Sequence, residues 1–212
     1  LSVSVTLPDG SDVLVDREQM FVCEQMPKLK IAVELCEDLW TPNPPSIAHA
    51  LSGADVIVNL SASNEITGKS AYRKELVCGQ SARLISAYIY ASAGESTQDL
   101  VFAGHNMIAE NGRMLAESER FGHGVIYTEI DVEKLTAERR RMTTFVTEDH
   151  YSEVTFELEQ EETKLTRYID PAPFVPGDKN DRDKRCDEIL MIQAMGLKKR
   201  LEHTGAGAVV GI

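Results

Sequence analysis

The stretch Lys30-Ile-Ala-Val-Glu-Leu-Cys-Glu-Asp-Leu-Trp40 limits what this chain can fold into more than any other. Ile31, Ala32, Val33 and Leu35 make an apolar run of the length of a buried strand, and Thr41-Pro42-Asn43-Pro44-Pro45 ends it in a turn. A thiol, Cys36, therefore stands where a strand stops. In open α/β sheets the loops at the carboxyl ends of strands face a crevice, and the strand ends hold its side chains rigidly, so Cys36 is a candidate nucleophile. A free cysteine at that position also packs well as a small hydrophobe. The adjoining carboxylates of Glu37 and Asp38 disfavour a thiolate, so activation calls for a cation or a base from elsewhere in the fold.

The flanking sequence places this strand in an α/β layer. Upstream, the alternation of Val3, Val5 and Leu7, the Pro8-Asp9-Gly10 turn and Val13-Leu14-Val15 predict a hairpin, and residues 18–27 read as a loop. Downstream, Pro45 opens a short helix over 46–51 with Gly53 just past its end, and 55–60 reads as a fully buried strand. Strand, helix and strand over so short a crossover imply parallel pairing, which puts the loop 61–69 on the same sheet edge as Cys36. Residues 70–86 carry Tyr72, Leu76, Arg83 and Leu84 at helical spacing, and Tyr88-Ile89-Tyr90-Ala91 is the next strand. It ends in Ser92-Ala93-Gly94, small residues that serve either close approach of a ligand or tight turn packing.

From residue 100 short strands follow one another, at 101–102, 106–109, 113–116 and 125–130, with Asn111-Gly112 as a hairpin turn of the primed type. Asp131 caps a helix that runs through Met142, and Arg139-Arg140-Arg141 complements its negative end as a solvated face or an oligomer contact. Charges and prolines dominate 143–185, an extended tail and linker with an edge strand at 154–158. Residues 185–202 then form an amphipathic helix, with Ile189, Leu190, Ala194, Leu197 and Leu201 near one stripe and Gly205 as its stop, and 206–212 begin a buried strand.

With 212 residues the chain can bury a sizeable core, and its net charge of -12 repels nucleic acid and anionic membranes alike. No transmembrane run and no secretion signal is read from it, and with Leu1 in place of Met a piece of a longer chain is expected. The four cysteines, Cys23, Cys36, Cys78 and Cys186, and the five histidines lack any metal-ligand spacing. A reducing, cytoplasmic setting and the absence of a metal site are expected.

Val33-Glu34-Leu35-Cys36-Glu37-Asp38-Leu39-Trp40-Thr41-Pro42 resembles the nucleophile motif of the glutaminase domain of glutamine-dependent NAD synthetases, a branch of the nitrilase (carbon-nitrogen hydrolase) superfamily. Similar to that family, and in its order, are Val58 to Asn64, Gly68-Lys69 with Tyr72-Arg73, Ser92 to Thr97, Asp99-Leu100-Val101-Phe102 with Gly104-His105, and Glu110-Asn111-Gly112. The resemblance implies the second half of a nitrilase-like α-β-β-α sandwich over 1–145, a tail and linker over 146–184, and the first helix and strand of an ATP-dependent synthetase domain over 185–212. It also implies a homo-oligomer.

In that superfamily a glutamate base, a lysine that stabilises the oxyanion and a cysteine nucleophile cleave an amide. Cys36 matches the nucleophile, the backbone amide of Glu37 would help hold the oxyanion, its side chain would line the site wall, and Ser63 and Lys69 match glutamine-binding positions. The glutamate and the lysine belong upstream of residue 1; Glu18, Glu24, Lys28 and Lys30 lie too close to Cys36 to be their counterparts. The resemblance therefore implies a chain inactive alone and without a cofactor, from a protein that takes glutamine, nicotinic acid adenine dinucleotide, ATP and Mg. A stand-alone nitrilase-type amidase and a non-catalytic nitrilase-like scaffold are the alternatives. The linker and helix over 171–205 argue against the first.

Overall fold

The structure, a computed structural model, describes residues 2–148, 150–162 and 164–207. It divides into two compact units, Leu1–Thr166 and Arg167–Ile212. The first begins with the expected hairpin, β1 (Val3–Thr6) and β2 (Asp12–Val15), antiparallel from Val3 opposite Val15 to Thr6 opposite Asp12. The predicted loop that follows is instead a strand, β3 (Gln19–Cys23). Its pairing on both sides decides this: it runs antiparallel to the next strand, β4 (Lys30–Leu35), and parallel to a strand more than a hundred residues away.

Beyond β4 lie a 3₁₀ turn (Cys36–Trp40), α1 (Pro45–Leu51), β5 (Val56–Ser61), α2 (Lys69–Leu84) and β6 (Ala87–Ser92). Both β4–β5 and β5–β6 are parallel pairs, as the short crossovers predict. The hairpin of β7 (Met107–Glu110) and β8 (Arg113–Glu117) turns at Asn111 and Gly112, whose φ of 45° and 84° are the two positive angles a primed turn needs. A Cβ on Gly112 would also meet the Cβ of Ala82 at 2.8 Å. Residues 125–130 form no strand, and Val125 and Tyr127 are 72% and 84% exposed. In α3 (Val132–Arg141) the Asp131 carboxylate accepts the N–H of Lys134 at 2.9 Å, the expected cap, and β9 (Ser152–Phe156) is the expected edge strand. The sheet order is β8-β7-β6-β5-β4-β3-β9.

In the second unit α4 (Lys179–Thr204) starts six residues before the sequence reading places it. Asp178 explains the earlier start, because its carboxylate accepts the N–H groups of Asn180 and Asp181; Gly205, at φ 64°, ends the helix. The strand read at 208–212 lies outside the described residues. Among the described residues no helix is long and apolar enough to cross a membrane.

The sheet register sorts residues onto two faces. On one, Ala32, Ile57, Tyr88, Tyr90, Met107 and Ala109 pack with Ala50 of α1 and Val77 and Leu84 of α2. Each fully buried aliphatic side chain such as Ile57 or Val77 contributes roughly 1.5–3 kcal/mol. On the other face Val56 and Ala87 pack with Leu135 of α3, but Val33, Leu35 and Leu60 are 37%, 58% and 53% exposed. The sequence reading of β4 and β5 as wholly buried is thus corrected: nothing among the described residues covers the upper part of that face.

Two helix faces also depart from expectation. In α2 the buried residues are Arg73, Val77, Gln80, Ser81 and Leu84, whereas Tyr72 is 53% exposed. Three polar residues in the inward stripe hide it from a reading based on apolar spacing. Arg139 of α3 is not a solvated residue: its guanidinium donates to the carbonyls of Ala54, Leu84 and Ile85 and reaches Asp55 at 3.2 Å. It thereby satisfies the C-terminal end of α2, where carbonyls lack intrahelical donors.

Candidate active site

Cys36 is half-buried, one residue past the carboxyl end of β4, with its backbone at φ 44°. A non-glycine residue in this left-handed region costs on the order of 1–2 kcal/mol, so the surroundings must hold it there. The Asp38 carboxylate accepts the N–H of Leu35 at 2.7 Å, and the Asn59 side-chain amide donates to the carbonyl of Cys36 at 3.4 Å. Glu37 follows in the first turn, where backbone N–H groups have no intrahelical acceptor; its side chain is exposed.

Beneath the turn lies a buried polar layer that sequence reasoning missed. Glu34, 2% exposed, accepts the N–H of Ser46 at 2.8 Å and the hydroxyl of Tyr88 on its other oxygen. The Ser46 bond gives α1 the N-terminal acceptor that Pro44, at the cap, lacks. Tyr88 in turn accepts from the Asn59 amide at 3.2 Å, and Gln80 donates to the Ser46 hydroxyl at 3.0 Å. Burial, reinforced by Glu34, pushes the Tyr88 hydroxyl far up, so it stays a donor. The signal lay in the strands themselves, since Asn59, Ser61, Tyr88 and Tyr90 repeat at a period of two in segments otherwise apolar.

Tyr90 joins this layer to the other predicted site residues. Its hydroxyl shares a 2.7 Å hydrogen bond with Ser61; burial pushes it up, and Arg73, Cys36 and Ser63 are all close enough to act on it. Ser63 is buried at 8% exposure, two residues past the end of β5. Lys69, the first residue of α2, donates to the Asn64 carbonyl at 2.8 Å and to its side-chain oxygen at 3.0 Å, and lies 5.1 Å from the centre of the Trp40 ring. Trp40, at the end of the turn that Cys36 opens, thus lies against Lys69, while Cys36 and Ser63 both act on Tyr90.

The loop carrying Ser63 is anchored from below. Arg73 pairs with Glu65 at 2.8 Å and donates to Nδ1 of His105 at 3.0 Å; Nε2 of His105 consequently carries the proton and donates to Glu117 at 2.9 Å. Burial raises the Glu117 carboxyl, but Lys74 and His105 outweigh it and hold it below its usual range. A hollow of about 230 Å³ opens beside this chain of charges, lined by Ser70, Lys74, His105, Glu117, Ser118 and Arg120, and takes in none of Cys36, Ser63 and Lys69. The small residues after β6 serve packing: a Cβ on Gly104 would meet the Cα of Gly94 at 3.3 Å. Lys28 and Lys30 are paired elsewhere, with Glu133 at 3.0 Å and Glu153 at 2.7 Å.

The carbon-nitrogen hydrolase family model matches residues 5–140. A glutamine-dependent NAD(+) synthetase of Mycobacterium bovis is 41% identical over 206 residues, covering 91% of this chain and 30% of that protein. The human glutamine-dependent NAD(+) synthetase is 33% identical over 138 residues, 65% of this chain and 17% of its own length. The chain thus spans under a third of the curated relatives it matches. A solved carbon-nitrogen hydrolase from Helicobacter pylori G27 shares the fold, with a TM-score of 0.51 at 18% identity over 66% of this chain and 59% of that one. With a strand-end cysteine, parallel β4–β5–β6 and a family match over more than half its residues, the chain belongs to the carbon-nitrogen hydrolase family.

Proposed function

We propose that this chain is part of a glutamine-dependent NAD synthetase and carries the nucleophile of its glutaminase site. The observation that carries the reading is the 41% identity to the Mycobacterium bovis synthetase along 91% of the chain. On this reading residues 1–145 are the second half of the glutaminase domain, 146–184 the tail and linker, and 185–212 the start of the ATP-dependent synthetase domain. The Cys36 thiolate attacks the side-chain amide carbon of glutamine, the backbone N–H of Glu37 donates to the oxyanion, and ammonia leaves with a proton from the general base. Water then hydrolyses the thioester to glutamate and returns the thiol. Ser63 and Lys69 bind glutamine, and Lys69 offers a point charge, without the bidentate fork of an arginine.

The general base and the oxyanion lysine lie outside these residues, so the chain alone is inactive. The ammonia amidates nicotinic acid adenine dinucleotide in the synthetase domain, where ATP and Mg act. Among the described residues no group of three or more His, Cys, Asp or Glu is placed to hold a metal ion. The parent is a cytoplasmic homo-oligomer on this reading.

The test uses the full-length protein. It is expected to form NAD from glutamine or from free ammonia, and Cys36→Ala to abolish only the glutamine-dependent reaction. Hydrolysis of glutamine or another amide without any NAD synthesis would leave a stand-alone amidase, and neither activity would leave a scaffold.

A further inference from the structure

Resting on the glutaminase reading above, we propose that Glu34 is the positioning residue of the Cys36 nucleophile, acting through Tyr88 and Asn59 on the backbone carbonyl of Cys36 and through Ser46 on the turn beyond it. Glu34 does not need to touch substrate to do this. It occupies the inward face of β4 two residues before the thiol, at 2% exposure. A carboxylate there is costly to desolvate, and an aliphatic side chain would fill the same core position without that cost. Its two oxygens instead organise two separate segments.

One oxygen takes the N–H of Ser46 at 2.8 Å, which ties the end of the 41–45 turn to β4. The other takes the Tyr88 hydroxyl, which thereby presents its lone pairs to the Asn59 amide at 3.2 Å. That amide also donates to the Cys36 carbonyl at 3.4 Å. The peptide that must sit at φ 44° is therefore held from beneath by a relay of side chains from three adjacent parallel strands. The Asn59 side-chain oxygen is buried with no partner among the described residues, so the amide is oriented by its donor side alone. Loss of either Glu34 or the Tyr88 hydroxyl frees that amide and, with it, the Cys36 peptide.

Glu34→Gln keeps the shape but puts an N–H₂ where one of the two donors must be accepted; Tyr88→Phe deletes the relay hydroxyl and nothing else. In the full-length protein both variants are expected to lower kcat for glutamine hydrolysis by about 10- to 100-fold, the scale of a displaced reacting group, with KM for glutamine little changed. NAD synthesis from free ammonia should not change. The double variant should be no worse than the poorer single one, because both break the same relay. Alkylation of Cys36 by iodoacetamide, followed by peptide mapping across pH, should slow in both.

A merely structural role would instead lower the amount of folded protein, so that alkylation loses amplitude at an unchanged rate and ammonia-dependent synthesis falls in step. That outcome, or unchanged kcat in both variants, overturns the proposal. Should the wild-type protein not hydrolyse glutamine, the glutaminase reading fails, and the alkylation rate still decides for or against Glu34.

Discussion

Arg73 and Glu65 form an ion pair at 2.8 Å from which water is excluded, with 0% of the arginine side chain and 5% of the glutamate side chain exposed. The second arm of the guanidinium reaches His105, so one cation on α2 joins the loop after β5 to the segment before β7. Arg73→Met leaves Glu65 buried without its closest cation. Removing one partner of a buried pair costs about 3–5 kcal/mol, and urea denaturation should show that loss. Adding Glu65→Leu should recover part of it; a single-variant loss under about 1 kcal/mol would contradict the burial of the pair.

The backbone of Cys36 predicts an inverted order of stability for two thiol-free variants. Glycine normally destabilises relative to alanine, but at φ 44° alanine retains the Cβ clash that glycine lacks. Cys36→Gly should therefore match or exceed Cys36→Ala in melting temperature, by up to about 1 kcal/mol in stability, with both inactive. The reverse order would place Cys36 outside the left-handed region.

His49 sets an acid limit on stability. Its Nε2 donates to the Val33 carbonyl at 3.1 Å and its Nδ1 accepts from the Tyr151 hydroxyl at 2.6 Å, an arrangement that only the neutral ring can make. Burial holds His49 below its ordinary value of 6.5, and pushes Tyr151 up to about 12, so the donor is retained. Below pH 6.5 the unfolded chain binds a proton that the folded chain resists, so stability is full above 6.5 and falls as pH drops beneath it. His49→Gln should flatten that slope, as read from denaturation midpoints between pH 7 and 5.

Asp55 acts with the opposite sign. Burial pushes its carboxyl up to about 6 against the pull of Arg139 and Lys30. Its contribution is thus fully present below about 3.8 and is lost as pH rises through 6, because the unfolded chain then releases a proton that the folded chain keeps. Asp55→Asn is expected to remove this decline between pH 4 and 7; a variant with the wild-type slope would show that the Arg139 pair, not burial, governs the site.

What could be read from the sequence was local. Asn111-Gly112 turns a hairpin because both residues tolerate positive φ, Asp131 and Gly205 end helices through groups within a few residues, and Pro44-Pro45 stops one element and opens the next. The end of β4 at Cys36, and the parallel layer around it, follow from the same short-range grammar. These features depend on dihedral preferences and on hydrogen bonds that close within one turn.

The tertiary structure alone decided which polar groups meet. Glu34 and Tyr88 are 54 residues apart, Arg139 reaches Ala54 across 85, and β3 is a strand because β9 lies beside it. Arg73 and Arg139 look like solvated cations until partners from distant segments satisfy them. A buried charge or amide is tolerated where most of its hydrogen-bonding groups find partners, and that match is a property of the packed sheet, not of any stretch of chain.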